Sequence, residues 1–291
     1  MNILVTGANG QLGTELRNVS AGLKDFRFVF TDVNELPDVE TTLLDITNPD
    51  AVRVVVRSEK PDVIINCAAY TNVEKAEEDI PFAELLNSGA PANLAAAAAE
   101  SGATLIHVST DYVFSGEGCT PVRESDSPAP ASVYGSTKLS GEKAVERSGC
   151  NYIILRTAWL YSPYGKNFVK TMKEKTSPEG SLKVVYDQVG SPTYARDLAE
   201  AIMHIITSGQ TSKKGIYHYS NEGAISWFDF ACEIRDLTGG KASIKPCLTS
   251  EFPTKARRPH YSVLDKALFR ETFGIEVPYW KDSLKKCISR L

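Results

Sequence analysis

The chain has 291 residues, enough to bury one large core or two smaller ones. Hydrophobic residues make up 42% and charged residues 23%, the balance of an ordinary globular protein, and no apolar run is long enough to span a membrane. The net charge of -4 leaves no nucleic-acid footprint. Six scattered cysteines without a C-x-x-C pair argue against zinc and against a disulfide framework, and for a reducing cytoplasm. No charged leader precedes the short apolar run Ile3–Val5, so no signal peptide is expected.

The first thirteen residues, MNILVTGANGQLG, organise the rest. Ile3–Val5 has the length of a buried strand. Gly7, Gly10 and Gly13 follow, and then Leu12, Leu16 and Val19 recur at near-helical spacing. Strand, glycine turn and helix together suit a pyrophosphate. Glycine lets backbone approach the ligand, and the new helix points unpaired N–H groups and its positive dipole end outwards. The spacing G-x-x-G-x-x-G is one residue wider than the common dinucleotide fingerprint. A strand–helix turn without a ligand stays open on this motif alone.

Arg27–Thr31 predicts a second strand, with Asp32 placed to accept from adenosine ribose hydroxyls or to act as a turn aspartate. Leu43–Ile46 is a short apolar segment containing Asp45, and Thr47-Asn48-Pro49 starts a helix through about Ser58. Asp62–Asn66 is a third strand. It leads into small residues, Ala68 and Ala69, then Thr71, where a flat cofactor can lie against backbone. Phe82–Ser101 is helical, with a kink or a break at Pro91.

Ala103–Val108 is a fourth strand that delivers Ser109, Thr110 and Asp111. After a long loop from Ser115 to Ala131, a helix opens at Tyr134 and runs to about Ser148. Asn151–Leu155 is a fifth strand ending near Trp159. The alternation predicts an α/β fold: a doubly wound, parallel, Rossmann-type sheet with a smaller C-terminal α/β substrate lobe. Residues 1–158 form the dinucleotide-binding domain, with about 186–220 returning to it. The lobe takes about 159–185 and 221–291. Later elements are expected at Phe168–Lys175 (helix), Leu182–Val185 (strand), Asp197–Thr207 (helix), Gly215–Tyr219 (strand), Trp227–Leu237 (helix) and Lys281–Arg290 (helix).

Tyr134 and Lys138 are four apart, so on a helix they share a face. An ammonium beside a phenol favours the phenolate and is expected to lower its pKa, which suits proton transfer at a carbonyl or alcohol oxygen. Thr110, at a strand end, adds a hydroxyl to the same oxygen. A solvated helix face is the alternative for the pair alone.

With these residues in place, the chain resembles the extended short-chain dehydrogenases/reductases, and within them the dTDP-4-dehydrorhamnose reductase family. The resemblance is carried by ILVTGANGQLG, VIINCAAYTNVEKAE, VSTDYVFSG, VYGSTKLSGE, ILRTAWLY and QVGSPTYARDLA. It implies NADPH or NADH as coenzyme, a nucleotide sugar as the small-molecule partner and reduction of its C4 keto group. It implies Tyr134, Lys138 and Thr110 as catalytic residues. It places Gly7, Gly10, Gln11, Leu12 and Gly13 at the pyrophosphate, and Asp45, Ile46, Ala68, Ala69 and Thr71 at the rest of the coenzyme, joining Asp32. Asp111, Trp159, Gln188 and Arg258 are the expected substrate contacts. Lys255, Arg257 and Arg258 could meet a diphosphate or form a solvated loop. Asp32 favours a free ribose 2′-hydroxyl, whereas Arg17 or Arg27 could receive a 2′-phosphate. Some relatives bind magnesium, for which Glu15 is a candidate, and no metal is assigned. No membrane and no nucleic-acid partner is expected, and the chain is a monomer or homodimer. Two alternatives remain on the same scaffold: an epimerase or dehydratase that retains its NAD, and a non-catalytic subunit of the methionine adenosyltransferase regulatory type.

Overall fold

The computed structural model describes residues 1–291. Six strands of the central sheet come from the first 157 residues: β1 (Asn2–Thr6), β2 (Arg27–Asp32), β3 (Thr42–Leu43), β4 (Val63–Asn66), β5 (Thr104–Thr110) and β6 (Asn151–Thr157). The strand Gly215–His218 joins much later, beside β6. The order across the sheet is Gly215–His218, β6, β5, β4, β1, β2, β3, and every pairing is parallel. The chain moves outward from β1 to β3, then returns to the other side of β1 with β4. That reversal opens a crevice at the carboxyl ends of β1 and β4.

Helices α1 (Gln11–Ser20), α2 (Pro49–Glu59), α3 (Val73–Ala76), α4 (Ile80–Glu84), α5 (Ala90–Ser101) and α6 (Val133–Arg147) connect these strands. Asn48 caps α2 by accepting from the N–H groups of Asp50 and Ala51. Each sheet face buries its own core. On one, Ile3, Val5, Leu12 and Leu16 pack with Ile202 and Ile205 of the helix Ala195–Thr207. On the other, Ala95, Ala97 and Ala98 of α5 lie against Leu4, Ile64 and Ile154. Alanines keep that helix thin, so it sits close to the sheet.

The break expected at Pro91 falls just before it. Leu85–Gly89 form a π-helical turn in a helix that continues from α4 into α5; the Ala90 N–H bonds the Leu85 carbonyl, so the wide turn falls just before the residue that lacks an N–H, Pro91. The wide turn carries Asn87, which is buried. Its side chain accepts from the Tyr70 N–H at 2.8 Å and donates to the Tyr70 carbonyl at 3.1 Å and to Thr137 Oγ1 at 3.2 Å. One amide thus bolts the segment after β4 to α6, the helix that bears Tyr134 and Lys138.

A third core, built on Tyr161, Val169, Phe230, Ile234, Trp280 and Leu284, belongs to a smaller lobe. Helices Phe168–Thr176, Trp227–Thr238 and Trp280–Ile288 surround it, with a parallel pair of strands, Ser181–Val185 and Ser243–Cys247. The strand Ser243–Cys247 and the helix Ala267–Phe273 are additions to the predicted elements. Phe269 and Phe273 pack into the first sheet core, so the last seventy residues contribute to both bodies. No helix is long and apolar enough to cross a membrane.

Candidate active site

A cleft of about 930 Å³ lies over the carboxyl ends of β1, β2, β4, β5 and β6, between the sheet and the smaller lobe. Its first wall is the glycine turn. Gly7 has φ 66°, and a Cβ there would stand 2.6 Å from the backbone nitrogen of Ala68. A side chain would therefore both strain the turn and fill the space between β1 and β4. Gly10 is the N-cap of α1 and offers no side-chain cap, so the first N–H groups of the helix face the cleft without one. Gly7, Gly10, Gln11 and Leu12 line the opening.

Gly13, expected at the pyrophosphate, does not line it. It faces inward, where a Cβ would lie 2.5 Å from the Gly7 oxygen and from Ala8 Cα. Its part is to let α1 pack on the turn. Asp32 lines the cleft and secures the turn, since its carboxylate accepts from the N–H groups of Asn9 at 3.1 Å and Asn34 at 3.2 Å. Asp45, Ile46, Ala68, Ala69 and Thr71 all line the same space. An uncapped helix start, a close-backbone turn, a small-residue floor and two carboxylates at the far end fit a dinucleotide.

Neither of the two arginines considered for a 2′-phosphate lines the cleft. Arg27 begins β2, at the opposite end of the strand from the cleft, and pairs with Glu59 at 2.6 Å. Arg17 donates to the Glu40 carbonyl at 2.9 Å and lies over the Phe30 ring. Glu15, the candidate magnesium ligand, is fully buried. It pairs with Arg290 at 2.7 Å and faces Arg196 at 3.8 Å. No three His, Cys, Asp or Glu side chains are grouped to hold a metal ion.

The second wall brings Thr110, Tyr134 and Lys138 together. β5 ends at Thr110, and Ser132 caps α6 through the Gly135 N–H, setting Tyr134 one residue inside the helix. Lys138 is 1% exposed and donates to the Val108 carbonyl at 2.7 Å. Burial lowers its pKa to about 8, with Glu142 pulling it up. The Tyr134 phenol is pushed up to about 12 by burial, with the Thr110 side chain pulling the other way. The lowering expected from Lys138 is not what the fold produces. Lys138 gives one of its N–H groups to Val108, and loss of water is the largest influence on the phenol. A proton on Tyr134 is therefore held there, as an acid requires.

Asp111 is 2% exposed. One carboxylate oxygen accepts from Thr110 Oγ1 at 3.0 Å, and the other has no partner. Burial raises this carboxyl to about 6, against the hydrogen bonds that favour its charge. Trp159 lines the cleft with φ 49° and stacks on Trp227 at 3.6 Å between ring centres. Gly190 leaves room for that ring, because a Cβ there would come within 2.8 Å of it. Gln188, an expected substrate contact, is outside the lining. It is buried, and its amide donates to Thr249 Oγ1 at 3.0 Å. Of the basic run, only Arg258 reaches the cleft. Lys255 and Arg257 pair with Glu78 and Glu117.

Trp227, Phe82, Lys166 and Asn167 also line the cleft without having been expected there. Asn167 carries the one legible signal. As the N-cap of Phe168–Thr176 it precedes an apolar helical run, and its amide also donates to Gln11 Oε1 at 2.9 Å. The smaller lobe is thereby tied to the glycine turn.

A doubly wound parallel sheet, with a glycine turn and a Tyr-x-x-x-Lys helix facing one crevice, defines a Rossmann-type oxidoreductase scaffold. The family model described as the RmlD substrate binding domain matches residues 1–291, and the chain belongs to that family. It is 39% identical over 300 residues to dTDP-4-dehydrorhamnose reductase of Escherichia coli K12, covering 100% of this chain and 98% of the relative. The crystal structure of a dTDP-4-dehydrorhamnose reductase from Clostridium acetobutylicum is similar at TM-score 0.91 and 46% identity, covering 100% of this chain and 99% of the other. The Bacillus anthracis reductase, solved in complex with NADP, is similar at TM-score 0.90 and 38% identity, with the same coverage.

Proposed function

We propose that this chain reduces the C4 keto group of dTDP-4-dehydro-L-rhamnose to the alcohol of dTDP-L-rhamnose, using NADPH or NADH. The observation that carries it is the meeting of a dinucleotide cradle with Thr110, Tyr134 and Lys138 in one cleft of a chain from this family. Gly7, Gly10, Gln11 and Leu12 would hold the pyrophosphate, and Asp32, Asp45 and Ile46 the adenosine end. Ala68, Ala69 and Thr71 would flank the remainder, with Lys138 at the nicotinamide ribose. When bound, the reduced coenzyme supplies the hydride.

The remaining chemistry belongs to the chain. Thr110 orients the C4 oxygen. Tyr134 gives its proton to that oxygen, so that a ketone, one hydride and one proton become one alcohol. Asp111 and Trp159 face the sugar, the first through its free carboxylate oxygen and the second through its ring. The lobe of 159–185 and 221–291 carries the nucleotide. The assembly that goes with this reading is a monomer or homodimer. The six unpaired cysteines suit a cytoplasmic setting.

The test is loss of reduced-coenzyme absorbance with a panel of 4-keto nucleotide sugars and each coenzyme. Turnover with the dTDP-4-keto-L-sugar is expected. Tightly held NAD with no net oxidation would point to an epimerase or dehydratase instead, and absence of turnover with either coenzyme would sink the reading.

A further inference from the structure

Three cationic side chains line the cleft: Lys138, Lys166 and Arg258. Lys138 is committed to the Val108 carbonyl. Lys166 follows Gly165, which abuts Gln11 at the glycine turn, so it stands at the coenzyme end. Arg258 is left for an anion arriving from the smaller lobe. Its Nε is buried and has no partner. Its Nη2 donates to Glu74 Oε1 at 2.8 Å. A guanidinium that shares one edge with a carboxylate keeps further donors for a phosphate.

Glu74 does more than pair. It sits in α3, and its second oxygen accepts from the backbone N–H groups of Lys255 at 2.8 Å and Ala256 at 3.3 Å. A single carboxylate therefore folds the turn 255–256 and holds the arginine two residues on. The segment is tacked down again by Arg257 on Glu117 and by the Tyr261 N–H on the Gly116 carbonyl at 3.0 Å. Arg258 is close enough to Tyr112 to act on its phenol, and Tyr112 stands edge-on to Tyr134.

We propose that Glu74 is a positioning residue, which presents Arg258 to the cleft as the anchor for the diphosphate of the nucleotide sugar. The proposal rests on the reductase reading above and extends it. An arginine already held by a carboxylate loses little side-chain freedom when a phosphate arrives. Glu74 raises affinity by preorganisation and touches no reacting atom.

The test is calorimetric titration of the full chain with dTDP, thymidine and NADPH, together with steady-state kinetics. Arg258→Met should weaken dTDP binding on the order of tenfold or more. It should leave NADPH affinity as in the wild type, which also shows that the variant folds. Glu74→Gln should raise KM for the nucleotide sugar several-fold with kcat unchanged. In the Arg258→Met background, Glu74→Gln should have no further effect on dTDP, because the residue it positions is gone. Arg258→Met binding dTDP as the wild type does would overturn the anchor. Independent, additive losses in the double variant would overturn the positioning role. A wild-type chain that binds NADPH but not dTDP would overturn the reductase reading itself.

Discussion

Lys138 donates its ammonium to the Val108 carbonyl at 2.7 Å, two residues before Thr110 on the same strand. The contact ties α6 to β5, so the spacing of phenol, ammonium and threonine is set by a helix–strand joint. Burial lowers the Lys138 pKa to about 8 from an ordinary 10.5, so the ammonium form is lost as pH rises through that value. NADPH affinity should fall above about pH 8, and the fall should vanish in Lys138→Met, which should bind weakly at every pH. The folded chain prefers the neutral amine. The stability cost of the buried charge is therefore full below about 8 and fades as pH climbs toward 10.5. Fluorescence titration of coenzyme against pH checks the binding, and urea unfolding checks the cost.

Tyr134→Phe should keep NADPH affinity and lower kcat on the order of 10²–10⁴-fold, since only the proton donor is removed. The phenol is held near 12, so it stays protonated where Lys138 titrates. An alkaline limb near 8 in the wild type belongs to Lys138. Near-wild-type kcat in the phenylalanine variant would show that another group supplies the proton.

Asp111 sits in a site that disfavours its charge, with a carboxyl raised to about 6 from 3.8. Between those values the folded state holds a proton that the unfolded state has released, so this residue costs stability as pH rises through the window. Asp111→Asn should be more stable than the wild type at neutral pH by up to about 2–3 kcal/mol, a gain that disappears below about pH 4. It should also raise KM for the nucleotide sugar. Thermal unfolding of both proteins across the acid range measures the difference.

Gly10→Val should abolish NADPH binding without unfolding the chain. A Cβ at Gly10 meets only the Gly7 oxygen, at 3.3 Å, so the fold tolerates a branch that the incoming phosphate would meet. Gly7→Ala should instead lower stability, because the added atom would meet backbone at 2.6 Å in a left-handed conformation. Melting curves with and without NADPH separate the two.

Behind the site, Glu142 and Arg156 form a buried bidentate pair, at 2.7 and 2.9 Å, and Ser109 donates to the same carboxylate at 2.5 Å. Removing one partner strands a charge, so Glu142→Gln should cost about 3–5 kcal/mol in urea unfolding. Replacing both with apolar residues should restore most of it.

Much of this arrangement was legible in the chain. Apolar runs of strand length, a Gly-x-x-Gly-x-x-Gly turn and a Tyr–Lys spacing of four are local patterns, and backbone geometry turns them into strands, a helix start and a shared face. They place Gly7, Gly10, Thr110, Tyr134 and Lys138 on one cleft because carboxyl ends of parallel strands converge at a switch point. Partner choice across the chain was not legible. Gln188 turns to Thr249, Arg27 to Glu59 and Glu15 to Arg290, each over distances in sequence that no local pattern spans. The rise in the Tyr134 pKa likewise depends on burial, which comes from packing beside Tyr70, Ala76, Ala83 and Tyr112, residues brought to α6 only by the tertiary fold.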